Sequence, residues 1–223
     1  MARREATRSR RLLPWLAVVI VFLGYILWAL RAEETFPVTQ KKLEYTDSGV
    51  LVSGEGTNLQ ALLDAGLPVA AVASNRAGAP ALARASCATA AFELADFPDR
   101  AARDTAMADW LEEQGVRLVV LAGYMHLLTP AFLDRFPDAV VNVHPSLLPA
   151  FPGAHAVEEQ LAAGVAESGA TVHLVDEGVD SGPVLAQERI PVLAGDTAET
   201  LHDRIKSVEH RLLPEVVREL CAR

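Results

Sequence analysis

The sequence predicts an open α/β fold: a mainly parallel, doubly wound sheet with helices on both faces. Three observations carry this. Short apolar runs alternate with helical stretches from residue 49 to residue 220, joined by short polar connections. One run, Leu118-Val119-Val120-Leu121-Ala122, is apolar at every position, as suits a strand covered on both faces. A glycine-rich turn, Ser53-Gly54-Glu55-Gly56-Thr57-Asn58, follows the first apolar run and opens a helical stretch.

In chain order, residues 49–52 predict a strand and 59–63 the helix after it. Residues 69–73 predict a second strand, ending at Ser74-Asn75. A short helix over 80–86 has Pro80 at its first position, where proline is tolerated. A longer helix covers 100–114, with Trp110 and Leu111 on its apolar side. The third strand is 118–122, followed by a helix over 130–136 and a strand over 139–143. A helix over 157–163 and strands over 171–175 and 184–190 come next. A last helix spans 197–220, with Pro214 as its kink or break.

The 223 residues suffice for one ordinary domain and an extension. A net charge of −9, with no basic stripe beyond the first residues, argues against a nucleic-acid surface. Cys87 and Cys221 offer neither metal spacing nor a disulfide framework, so no metal is expected. The organisation reads as a basic tail (1–11), a hydrophobic helix (12–30), a polar linker (31–47) and the α/β domain (48–223). Residues 12–30 carry no charge, and roughly 28 Å of helix would span a bilayer core. Trp15, Tyr25 and Trp28 lie towards its ends. Five arginines before this segment, against Arg31, Lys41 and Lys42 after it, favour a cytoplasmic N-terminus.

Chemistry concentrates in Asn142-Val143-His144-Pro145-Ser146-Leu147-Leu148-Pro149 and Asp180-Ser181-Gly182-Pro183. An amide can donate to a developing oxyanion, an imidazole can hold or move a proton, and a carboxylate can orient and charge that imidazole. Asn142 and His144 are two apart and so share one face of an extended strand. The prolines at 145 and 149 end the strand in a rigid loop. The turn at 53–58 is a candidate anion cradle: Gly54 and Gly56 permit a tight turn, and the helix start presents free N–H groups. It lacks the Gly-Lys-Ser/Thr of a P-loop and the third glycine of a dinucleotide fingerprint, so one phosphate monoester is expected. An ordinary turn with Thr57 as helix cap is the competing reading.

These motifs resemble the folate-dependent glycinamide ribonucleotide formyltransferases, from about residue 49 to residue 220. The resemblance also rests on Leu121-Ala122-Gly123-Tyr124-Met125, Pro152-Gly153-x-His155 and Gly169-x-Thr171-Val172-His173. It implies a Rossmann-like formyltransferase domain that moves a formyl group from 10-formyltetrahydrofolate to the amine of glycinamide ribonucleotide. Asn142 would donate to the oxyanion. His144 would act as proton shuttle or electrostatic stabiliser, and Asp180 would charge His144 and hold a relaying water. Gly56, Thr57, Asn58 and Glu209 would bind the ribonucleotide. Arg100, Tyr124, Met125, Leu128, Asn142, Val143 and the loop 175–179 would bind the folate, with 146–149 shaping the bend between the substrates. His155 and His173 read as structural histidines near the site. His126 stands where relatives often carry arginine, and Ala150 and Lys206 where they often carry other polar residues.

The partners implied are small molecules, with the chain as monomer or homodimer. Competing readings are another 10-formyltetrahydrofolate-using formyltransferase or deformylase, and a membrane-tethered scaffold that has lost turnover. Residues 12–30 are either a genuine anchor or the product of a start placed upstream. The cytosolic substrates favour the second, with a native chain beginning near residues 43–50.

Overall fold

The computed structural model describes residues 47–222. The tail, the hydrophobic helix over 12–30 and nearly all of the expected linker lie outside the described residues. Among the described residues, no helix is long and apolar enough to cross a membrane.

Seven strands form one sheet: β1 (Ser48–Val52), β2 (Val69–Ser74), β3 (Ala88–Ala91), β4 (Leu118–Leu121), β5 (Val140–His144), β6 (Glu167–Leu174) and β7 (Val184–Pro191). Their order is β3-β2-β1-β4-β5-β6-β7. The first five run parallel, while β6 pairs antiparallel with β5 and β7 antiparallel with β6. The expected mainly parallel, doubly wound sheet is therefore present, with an antiparallel pair at one edge. β1 and β4 are buried along their whole length, as their unbroken apolar runs require. The helices are α1 (Thr57–Asp64), α2 (Arg100–Glu113), α3 (Pro130–Leu133), α4 (Ala156–Ala163) and α5 (Ala198–Cys221), with single 3-10 turns at Pro80–Arg84 and Leu94–Asp96.

Four sequence expectations need correction. β3 was not expected, because Ala-Thr-Ala-Ala has no apolar run; pairing with β2 makes it a strand. The helix over 130–136 shortens to one turn at Pro130–Leu133. Pro214 does not break the last helix, which continues through it to Cys221. Proline forfeits one helix hydrogen bond there, but Leu212, Leu213, Val216 and Val217 are buried around it and hold the helix to the sheet. Thr57 is not the cap of α1. That place is taken by Gly56 at φ 73°, with no side-chain cap bond. A side chain at Gly56 would also meet Ala81 Cβ at 2.5 Å, so only glycine fits.

The winding places function. β1 and β4 are adjacent but lead to connections on opposite sides, so their C-terminal ends open a crevice at the topological switch point. The glycine turn leaves β1, the loop 122–129 leaves β4, and β5 delivers Asn142 and His144 to the same edge.

Candidate active site

A cleft of about 690 Å3 lies at this edge. Asn142, His144, His173 and Asp180 meet in its floor. The alternation of β5 sets Asn142 and His144 on one face, and the antiparallel register places His173 directly opposite Asn142. Asp180 arrives from the turn after β6 in a left-handed conformation, φ 50°, which aspartate tolerates better than most residues. Gly182 lets that turn close on the sheet, since a Cβ there would lie 1.9 Å from the Leu174 carbonyl oxygen.

Asp180 holds the cluster together. One carboxylate oxygen accepts from the Gly153 N–H at 2.8 Å and lies 3.3 Å from His144 Nδ1. The other lies 3.3 Å from Asn142 Nδ2 and 3.5 Å from His173 Nε2. Partial burial pushes its carboxyl upward, but the Gly153 N–H bond and the imidazoles beside it outweigh burial and hold it below the ordinary carboxylate value. The His144 Nε2–H donates to the Phe151 carbonyl at 2.8 Å. Both nitrogens of this buried ring therefore face oxygen acceptors, an arrangement satisfied in full only by imidazolium. Phe151 adopts φ 55° to present that carbonyl, a strained conformation of the kind found at functional sites. His173 Nδ1 donates to the Leu174 carbonyl at 2.8 Å, leaving Nε2 to accept from Asn142 Nδ2 at 3.1 Å. The Asn142 amide is thus oriented from two sides.

The phosphate-cradle residues divide. Gly56 and Thr57 line the cleft at the start of α1, where first-turn N–H groups have no side-chain acceptor. Asn58 is buried, and its Nδ2 donates to Glu209 at 2.9 Å. Burial lifts the Glu209 carboxyl above its ordinary value, against the Asn58 hydrogen bond and the charge of Lys206. Lys206 lies one turn before Glu209 on α5 and, with His202, also lines the cleft.

Of the residues expected on the folate side, Tyr124, Leu128 and Val143 are buried in the wall, and Met125 is 67% exposed at the mouth. The loop 175–179 forms the facing wall. Arg100 does not line the cleft; its guanidinium holds the Leu127 carbonyl at 2.5 Å from behind. His155 is exposed at the start of α4, and in its motif it is Gly153 that touches the cluster.

The chain matches the formyl transferase family over residues 48–217. A phosphoribosylglycinamide formyltransferase of Mycobacterium tuberculosis is 49% identical over 178 residues, 77% of this chain and 83% of that one. The chain belongs to the phosphoribosylglycinamide formyltransferases. The Haemophilus influenzae member is 40% identical over 178 residues, 76% of this chain and 84% of that one. Glycinamide ribonucleotide transformylase 1 of Symbiobacterium toebii superposes with a TM-score of 0.76 at 47% identity, covering 78% of this chain and 87% of that one. That of Geobacillus kaustophilus gives 0.77 at 41%, covering 80% and 100%.

In this formyltransferase, four contributors received no role from the sequence: Gly153, the Phe151 carbonyl, Lys206 and His202. The first two act through the backbone, which leaves no residue-type signal. Lys206 was legible only as a cation one turn before Glu209.

Glu209 makes one consequence measurable. Its folded carboxyl titrates higher than its unfolded one, so its stabilising contribution is full below the unfolded value and is lost as pH rises through the folded one. Relative to Glu209→Gln, the wild type is expected to lose stability across that window and stay level above it. Denaturant unfolding at a series of pH values reads the difference.

Proposed function

We propose that this cleft transfers the formyl group of 10-formyltetrahydrofolate to the amine of glycinamide ribonucleotide. The observation that carries the reading is the joining of Asn142 and His144, at the end of β5, with Asp180, between the glycine turn and an apolar wall. The ribonucleotide phosphate rests on the N–H groups of Gly56 and Thr57, with Lys206 as counter-charge. Asn58 serves less as a phosphate donor than as the clamp that orients Glu209 towards the ribose and glycinamide portion. The folate lies along Tyr124, Met125, Leu128 and Val143, opposite the loop 175–179.

The free amine attacks the formyl carbon. Asn142 Nδ2 donates to the developing oxyanion, using the N–H that makes the long 3.3 Å contact with Asp180. His144, with both nitrogens engaged inside the protein, acts as a fixed positive partner rather than as a mobile shuttle. Asp180 is the group that accepts the proton leaving the attacking amine and returns it towards N10 of the folate, through water or directly. The C–N10 bond then breaks, N10 takes that proton, and the formyl amide and tetrahydrofolate depart.

The catalytic domain is assigned to the cytoplasm, where both substrates are made, with residues 12–30 as the segment to test for a membrane anchor. The activity is tested with formyl-labelled folate and purified protein. Label is expected on the ribonucleotide amine, with loss of formyl dependent on that substrate. Release of label as formate, independent of the ribonucleotide, would replace the transferase by a deformylase.

A further inference from the structure

Behind the loop 122–129, outside the reacting cluster, lies a second polar network. Arg103 and Asp104 of α2 are both fully buried, and Asp104 Oδ1 accepts from Arg103 Nε at 2.9 Å and Nη2 at 2.6 Å. The other oxygen of Asp104 accepts from the Thr129 N–H at 2.8 Å. The third face of the guanidinium is met by His126, whose Nδ1 lies 2.5 Å from Arg103 Nη1. Its Nε2 lies 3.1 Å from the Asn75 side-chain amide, which Ser53 Oγ meets at 2.7 Å. Ser53 Oγ in turn accepts from the Met125 N–H at 2.9 Å. The loop that walls the cleft is therefore tied to β1, β2 and α2 through one closed set of bonds.

A guanidinium can only donate, so His126 Nδ1 must be an acceptor and the ring proton sits on Nε2, which requires the Asn75 amide to turn its oxygen rather than its NH2 towards that edge of the ring. We propose that His126 is a positioning residue: a neutral acceptor that locks the buried Arg103–Asp104 pair to the loop and so holds the folate wall of the cleft in place. An arginine here, as relatives often carry, would set a second guanidinium against Arg103. The charged groups facing the ring support the neutral form. Burial disfavours imidazolium, Arg103 and Arg100 disfavour it further, and Asp104 opposes them with the net direction downward. Asn75 and the Tyr124 ring, 6.0 Å away, add no charge. The inference rests on the assignment of this wall to the folate.

The test compares wild type with His126→Asn, which keeps an acceptor near the place of Nδ1, and His126→Leu, which removes it. A buried charged donor left without its acceptor costs on the order of a factor of ten in the equilibrium that keeps the loop in place. His126→Leu is therefore expected to raise KM for the formyl folate about tenfold, with kcat and the ribonucleotide KM little changed, and His126→Asn to recover most of that loss. The wild-type folate KM is expected to rise as pH falls below the ordinary histidine range, and the Asn variant to lack that rise. A Leu variant with the wild-type folate KM overturns the proposal. So does an Asn variant that keeps the wild-type pH dependence, a result open even if the Leu variant fails to fold. A wild type without saturable folate binding overturns the assignment of the wall as well.

Discussion

Asp180→Asn is expected to lower kcat by two to four powers of ten, the range for loss of a positioned acid–base group. That is about 2.7–5.4 kcal/mol of barrier at 1.36 kcal/mol per tenfold. The substitution is close to isosteric, and asparagine also tolerates the left-handed backbone at this position. It removes the charge that His144 faces at 3.3 Å and the carboxylate proposed to accept the amine proton. Little of the loss is expected in binding, since the cradle and the folate wall do not depend on Asp180. The pH profile carries a second signature. Asp180 titrates below the ordinary carboxylate value, so its stabilising contribution is present above the unfolded value and is lost as pH falls through the folded one. The wild-type acid limb is therefore expected below the usual carboxylate range, and the Asn variant should lack it. Equal kcat in the two proteins would remove Asp180 from the chemistry.

Asn142→Ala is expected to cost about 10²–10³ in kcat, the loss seen when one oxyanion donor is removed. Two contacts aim this amide, His173 Nε2 at 3.1 Å and Asp180 Oδ1 at 3.3 Å. His173 preorganises this amide in turn, its own tautomer fixed by the Leu174 carbonyl. Stopped-flow transfer with both substrates saturating reads the chemical step. A loss confined to KM would make Asn142 a binding residue only.

Much of this was legible in the chain because it is local. The period of β5 put Asn142 and His144 on one face, and the prolines after them ended the strand where the cleft lies. The glycines at 54 and 56 announced the turn at the switch point. What escaped was set by distant pairing. Asn58 was legible as part of the turn, but not its bond to Glu209, 151 residues away. His173 looked peripheral because its contact with Asn142 depends on the β5–β6 register. β3, four small residues, became a strand only beside β2. Arg100, expected on the folate side, holds the Leu127 carbonyl of the loop, a contact that its residue type alone does not announce.

The central claim is that Asn142, His144 and Asp180 act as one unit on one step. The measurement that tests it most directly is a double-mutant cycle on single-turnover formyl transfer, using Asn142→Ala, Asp180→Asn and the pair. Residues acting as a unit are strongly non-additive. The paired variant is therefore expected to be little slower than the slower single variant. Losses that simply multiply would show two independent contributions and contradict the account.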